Sequence, residues 1–116
     1  MKLYGIPNCN TVKKARVWLE SQGIAYQFHD FKKDGVNPAL IDGWLAQTSW
    51  EKLINRAGMT WRGLSEDTKA AINDSSAALK LMLEKSSVIK RPVLEKEGKI
   101  LHLGFDEDIY RKLLVK

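Results

Sequence analysis

Residues 2–5 form a short apolar run that ends in the turn-forming sequence Gly5-Ile6-Pro7-Asn8, which predicts a strand with an abrupt stop. From Asn10 to Gln22 the period changes. Val12, Ala15 and Leu19 recur at helical spacing with Trp18 beside them, while Lys13, Lys14 and Arg16 occupy the other faces. Asn10 and Thr11 are available to cap this helix, and Gly23 closes it, since glycine enters the left-handed region without a Cβ clash. Ile24-Ala25-Tyr26-Gln27-Phe28-His29 is short and rich in aromatic and branched residues, and reads as a second strand. Strand, helix, strand in this order implies parallel strands joined by a right-handed crossover.

Beyond Lys32-Lys33-Asp34-Gly35 the pattern is helical only. Asn37 as cap and Pro38 as first helical residue start a helix with Leu40, Ile41, Trp44 and Leu45 on its buried stripe. Ser49 caps a shorter piece carrying Trp50, Leu53 and Ile54, and Ser65-Glu66-Asp67 opens another. Ser75 or Ser76 caps a fourth, with Ala78, Leu79, Met82 and Leu83 facing the core. Trp44, Trp50 and Trp61 are expected to anchor these helices on one another. From Val88 the strand period returns. Val93-Leu94-Glu95 and Ile100-Leu101-His102-Leu103 flank the turn-like Lys96-Glu97-Gly98-Lys99, which predicts a β-hairpin. Asp106-Glu107-Asp108 then begins a last helix, with Arg111, Lys112 and Lys116 toward its negative end. One α/β domain over residues 1–116 is expected: β-α-β, an all-helical insertion at about residues 37–86, and β-β-α on a mixed four-stranded sheet.

Composition narrows the chemistry. The chain has 19 Lys and Arg against 14 Asp and Glu, a net charge of +5, but the basic residues are spread, with no aromatic stacking platform or basic recognition helix among them. Small anions or acidic proteins are the expected partners, and nucleic acid is not. No apolar run approaches the ~20 residues of a membrane span and no secretory leader is visible, so a cytoplasmic location is expected. A single cysteine, Cys9, excludes an intramolecular disulfide and a zinc-thiolate cluster. No metal and no bound cofactor are expected.

Cys9 falls where the first strand gives way to the first helix. The amides of a first helical turn lack intrahelical partners, and the peptide dipoles place about half a positive charge there, which favours a thiolate. A nearby cation would lower the pKa further, toward the range of reactive cysteines. Arg91 is the candidate, because the third strand can run beside the first. The competing reading makes Cys9 a small buried hydrophobe; its place between Asn8 and Asn10 favours a reactive thiol. His29 and His102 stand alone on strands and read as structural.

Three segments in order, Ile6-Pro7-Asn8-Cys9-Asn10-Thr11-Val12-Lys13-Lys14-Ala15, Asn55-Arg56-Ala57-Gly58-Met59-Thr60-Trp61-Arg62 and Ile89-Lys90-Arg91-Pro92-Val93, resemble the arsenate reductase/Spx/YffB family, most closely its YffB branch. The resemblance spans nearly the whole chain and implies a thioredoxin-like fold with a helical insertion. It implies Cys9 as nucleophile, Arg91 as the arginine that stabilises the thiolate or an oxyanion, and Pro92 as a cis-proline, although a trans bond is the commoner state of X-Pro. It also implies glutathione as co-substrate, held by a rim drawn from Asn8, Asn10, Thr11, Lys13, Arg56, Arg91 and Pro92, with glutaredoxin or a disulfide-bearing protein as a further partner.

Departures from the family pattern bear on the substrate. A resolving cysteine would fall at Val12, so the chain is monothiol. Of three arginines implied around an arsenate-reducing thiol, only Arg91 has a clear counterpart; the second falls at or beside Asn55, next to Arg56, and the third near Gly104. A glutathione-dependent thiol-disulfide oxidoreductase is therefore the leading expectation. The alternatives are an arsenate reductase with an incomplete arginine set and a non-enzymatic, Spx-like module that docks on RNA polymerase.

Overall fold

The computed structural model describes residues 1–115. Its elements are β1 (Lys2–Gly5), α1 (Asn10–Ser21), β2 (Gln27–Asp30), α2 (Pro38–Leu45), α3 (Trp50–Leu53), α4 (Met59–Arg62), α5 (Glu66–Ala71), α6 (Ser75–Glu84), a 3-10 turn (Ser86–Val88), β3 (Val93–Lys96), β4 (Lys99–Leu103) and α7 (Glu107–Leu114). They divide into two compact units, Met1–Gly35 with Arg91–Lys116, and Val36–Lys90.

The first unit carries a four-stranded sheet in the order β2-β1-β3-β4. β1 is parallel to β2 and antiparallel to β3, and β3 is antiparallel to β4, so the expected mixed, thioredoxin-like sheet is present. Alternation along the strands puts Leu3 and Leu94 on the face that packs against Ala15, Trp18 and Leu19 of α1 and Tyr110 of α7. Trp18 meets Tyr110 edge-on, with ring centroids 5.8 Å apart. Tyr4 takes the opposite alternation and lies beside His29, its register partner on β2, at 4.8 Å between rings. Its hydroxyl donates to Glu95 Oε1 at 3.0 Å, which gives a buried carboxylate a partner. The β3–β4 turn is Glu97-Gly98, with φ of 53° and 80°, the left-handed pair that a two-residue hairpin needs.

β2 begins at Gln27, three residues later than the pattern suggested. The Ile24 amide is engaged elsewhere: it donates to Leu19 O at 3.0 Å while Gly23 N–H donates to Glu20 O at 3.1 Å. This paired closure, with Gly23 at φ 68°, satisfies carbonyls at the end of α1 and delays the sheet.

In the second unit Ile41, Trp44, Leu53, Ile54, Met82 and Ile89 are among the buried residues, and Ile54 and Ile89 form an antiparallel bridge. Asn37, Ser49 and Ser65 cap α2, α3 and α5 through their side chains as the sequence implies. α6 differs. Its cap is Asp74, whose carboxylate accepts from the Ala77 amide at 2.8 Å, so Ser75 and Ser76 lie inside the first turn. Trp44 is buried, whereas Trp50 and Trp61 are only half-buried. α4 and the 3-10 turn have four and three residues, too few to reveal a period. Among the described residues no helix is long and apolar enough to cross a membrane.

Candidate active site

β1 ends in a turn. Pro7 and Asn8 occupy its centre, and the Cys9 amide donates back to Ile6 O at 3.2 Å. Cys9 itself is the N-cap of α1: its backbone is extended (φ −93°, ψ 125°) and its carbonyl accepts the Lys13 amide at 2.9 Å. Asn10 and Thr11, expected as caps, are instead the first two helical residues, because the extended backbone and first accepting carbonyl fall one position earlier. The cap position therefore carries a sulfur, in place of the usual hydroxyl or amide oxygen.

The thiol is half-buried. Burial pushes its pKa up, but the Val12 amide, the Arg91 guanidinium and the Thr11 amide together outweigh burial and hold it below its ordinary value. As a neutral thiol Cys9 makes no side-chain cap hydrogen bond of ordinary geometry; the same amides become effective partners once the sulfur is charged. Strand register explains the presence of Arg91. Val93 on β3 pairs with Tyr4 on β1, so the antiparallel course of β3 places Arg91 past the end of β1, where the chain turns toward Cys9. The Arg91–Pro92 peptide bond is cis, and Pro92 O accepts the Gly104 amide at 2.9 Å.

Gly5 governs how near the helix can come. A Cβ built on it would lie 2.7 Å from Val12 Cγ2, so only glycine lets the first turn of α1 seat against β1. Val12 is fully buried there, and its amide is one of the groups that stabilise the thiolate. Gly5 is legible as a strand terminator, but its steric role is absent from the local pattern.

Of the predicted rim, Asn8, Asn10, Thr11 and Lys13 are exposed around Cys9 in sequence, and Pro92 is buried. Arg56 lies in the second unit, where its guanidinium sits 5.9 Å from the Trp50 ring centroid. The Asn55 side chain packs close to Gly58, and its backbone N–H donates to Val88 O at 2.8 Å. Gly104 offers no charge. One guanidinium, that of Arg91, acts on the sulfur. His29 Nε2 lies 2.7 Å from Gly35 O, and His102 packs edge-on to Tyr110 at 6.0 Å, in keeping with structural roles. Among the described residues no group of three or more His, Cys, Asp or Glu side chains is placed to hold a metal ion. What remains is a half-buried sulfur with a lowered pKa, a group whose chemistry is that of attack on a disulfide or another oxidised centre.

A family model described as the ArsC family matches residues 4–113. A solved structure of a YFFB protein is 45% identical, with a TM-score of 0.90 and coverage of 98% of each chain. The solution structure of an arsenate reductase (ArsC) related protein from Brucella melitensis is 46% identical, with a TM-score of 0.79, over 99% of this chain and 94% of that one. Among curated proteins, the global transcriptional regulator Spx of Lactiplantibacillus plantarum is 28% identical over 116 residues, which cover 97% of this chain and 84% of the relative.

Proposed function

This chain belongs to the ArsC family, and on that premise we propose that it is a monothiol, glutathione-dependent thiol-disulfide oxidoreductase. The observation that carries the reading is Cys9 at the N-terminus of α1 with its pKa held down by the Val12 and Thr11 amides and by Arg91. The Cys9 thiolate attacks one sulfur of a substrate disulfide, forming a mixed disulfide and expelling the other sulfur as a thiolate. The thiolate of glutathione then attacks the mixed disulfide, forms a disulfide with the bound half and releases the Cys9 thiolate. A second glutathione thiolate attacks that glutathionyl disulfide, releasing the remaining half of the substrate as a thiolate and forming oxidised glutathione, so the two electrons that reduce the substrate come from two glutathiones, since Val12 leaves the chain without a resolving thiol. Arg91 stabilises Cys9 both as nucleophile and as the thiolate released in the second step.

Arsenate as the substrate is less well supported. A multiply charged oxyanion calls for several charge-assisted donors, whereas Asn55 and Gly104 supply no cation and the Arg56 guanidinium is placed over Trp50. The Spx relative favours one other reading, a docking module in which Cys9 has no turnover. A coupled assay separates them: reduction of a small disulfide by glutathione, recycled with glutathione reductase and NADPH. The expected result is a rate above the glutathione-only background that disappears in Cys9→Ser. No rate above background, or a rate that survives Cys9→Ser, overturns the proposal.

A further inference from the structure

Residues four apart on α7 (Glu107–Leu114) form stripes that face different neighbours. Tyr110 and Leu114 face the core. Glu107 and Arg111 face α1: Glu107 lines a depression with Lys13, Lys14 and Val17, and the Arg111 guanidinium lies 5.7 Å from the Trp18 ring centroid. Ile109 and Leu113 fall on the flank turned away from α1, where they are 38% and 46% exposed. Asp108 and Lys112 border them on the outer side, both exposed and neither in an ion pair among the described residues. An apolar stripe bordered by an acid toward one end and a base toward the other is complementary to its own reverse.

The place of α7 on the sheet leaves room for a mate. Tyr110 shares a core cluster with Leu94 of β3 and meets His102 of β4 edge-on at 6.0 Å, so α7 rides over the β3–β4 pair. β4 is the outermost strand on that side. With strands ~4.8 Å apart, a two-fold axis half a spacing beyond β4 lies ~5 Å from α7 and sets two helices ~10 Å apart, the distance at which helices pack through side chains of this size. We infer that α7 packs against α7 of a second copy of this chain, antiparallel about such an axis, with Ile109 of each chain against Leu113 of the other and Asp108 of each facing Lys112 of the other. In this register the two charged residues lie ~3 Å apart along the helix direction, within reach of a lysine side chain. The acidic first turn of each helix also meets the basic last turn of its mate, which suits both dipoles. The surface is independent of the thiol chemistry proposed above.

Sedimentation equilibrium of the whole chain supplies the test, in reducing buffer so that Cys9 cannot link two copies. The mass is expected to climb from one chain to two as concentration rises, and to do so equally in Cys9→Ser. Ile109→Asp removes two apolar side chains per interface, one from each copy, and should raise the dissociation constant about a hundredfold. Asp108→Lys and Lys112→Asp each bring like charges together and should be monomeric alone. An equimolar mixture of these two variants restores both opposite-charge pairs and should dimerise. A mass of one chain at every concentration overturns the inference, as does a dimer that Ile109→Asp leaves intact. A mixture no more dimeric than its components overturns the antiparallel pairing.

Discussion

Arg91 acts on the Cys9 sulfur from the residue preceding a cis-proline at the head of β3, while Cys9 is delivered by the turn that follows β1, the strand beside it. The two groups are 82 positions apart in the chain and are brought together by the antiparallel pairing of Tyr4 with Val93. Removing the guanidinium should therefore weaken the hold on the thiolate. Arg91→Ala is expected to raise the Cys9 pKa and slow its alkylation at neutral pH, by about tenfold for each pKa unit regained. Arg91→Lys keeps a charge but loses the planar fork, and should fall between the two. Alkylation rates of the three proteins at one pH read the order.

Gly5→Ala tests whether the seat of α1 against β1 sets the thiol's environment. The new methyl meets Val12 Cγ2, and overpacking of this kind costs about 1–3 kcal/mol. Because the Val12 amide moves with its side chain, the Cys9 pKa should rise as well. Gly5→Ala with Val12→Ala relieves the clash and should recover part of the thiol's reactivity even where stability is not regained. Urea unfolding and the alkylation rate, measured on the same three proteins, separate the two effects.

Folding stability should carry the signature of Cys9. In the folded chain the thiolate is favoured, whereas the unfolded chain has the ordinary value of 9.0. Between the lowered folded value and 9.0 the unfolded state binds more protons, so this contribution grows as pH rises through that window and is lost as pH falls below it. Denaturant unfolding of wild type and Cys9→Ser across pH 6 to 9 should show wild type gaining stability over the variant toward the alkaline end. A constant difference would mean that the thiolate is not favoured by folding.

Tyr4 provides the opposite sign. Burial, then its hydrogen bond to Glu95 and the charge of that carboxylate, push the phenol well above its ordinary value of 10.0. Its contribution is complete below pH 10 and is lost as pH climbs through the raised folded value. Tyr4→Phe deprives the buried Glu95 of one donor, at a cost of about 1–3 kcal/mol near neutrality. The variant should also lose less stability than wild type on going to strongly alkaline pH, and unfolding at neutral and alkaline pH reads both terms.

Local chemistry made much of this molecule readable from its sequence. Asn37-Pro38, Ser49 and Ser65 announce their helices through side-chain oxygens one position outside them, and Glu97-Gly98 announces its hairpin. The strand-to-helix junction at Cys9 is legible in the sequence, but neighbouring Asn10 and Thr11 read as better caps, since propensity cannot say where a turn ends. Asp74 outranked the adjacent serines for the same reason. Relationships that depend on register were hidden: the Tyr4–Glu95 hydrogen bond spans 91 positions, and the Gly5–Val12 contact depends on how a helix settles onto a strand. Arg91 was legible only because a hairpin strand returning beside β1 was expected.

The pH dependence of iodoacetamide alkylation at Cys9 bears most directly on whether this sulfur is held as an anion. The account predicts a single titration clearly below the ordinary thiol value of 9.0, shifted upward in Arg91→Ala. An apparent pKa of 9.0 or above in the wild-type protein, or a lowered value that Arg91→Ala leaves in place, would contradict it.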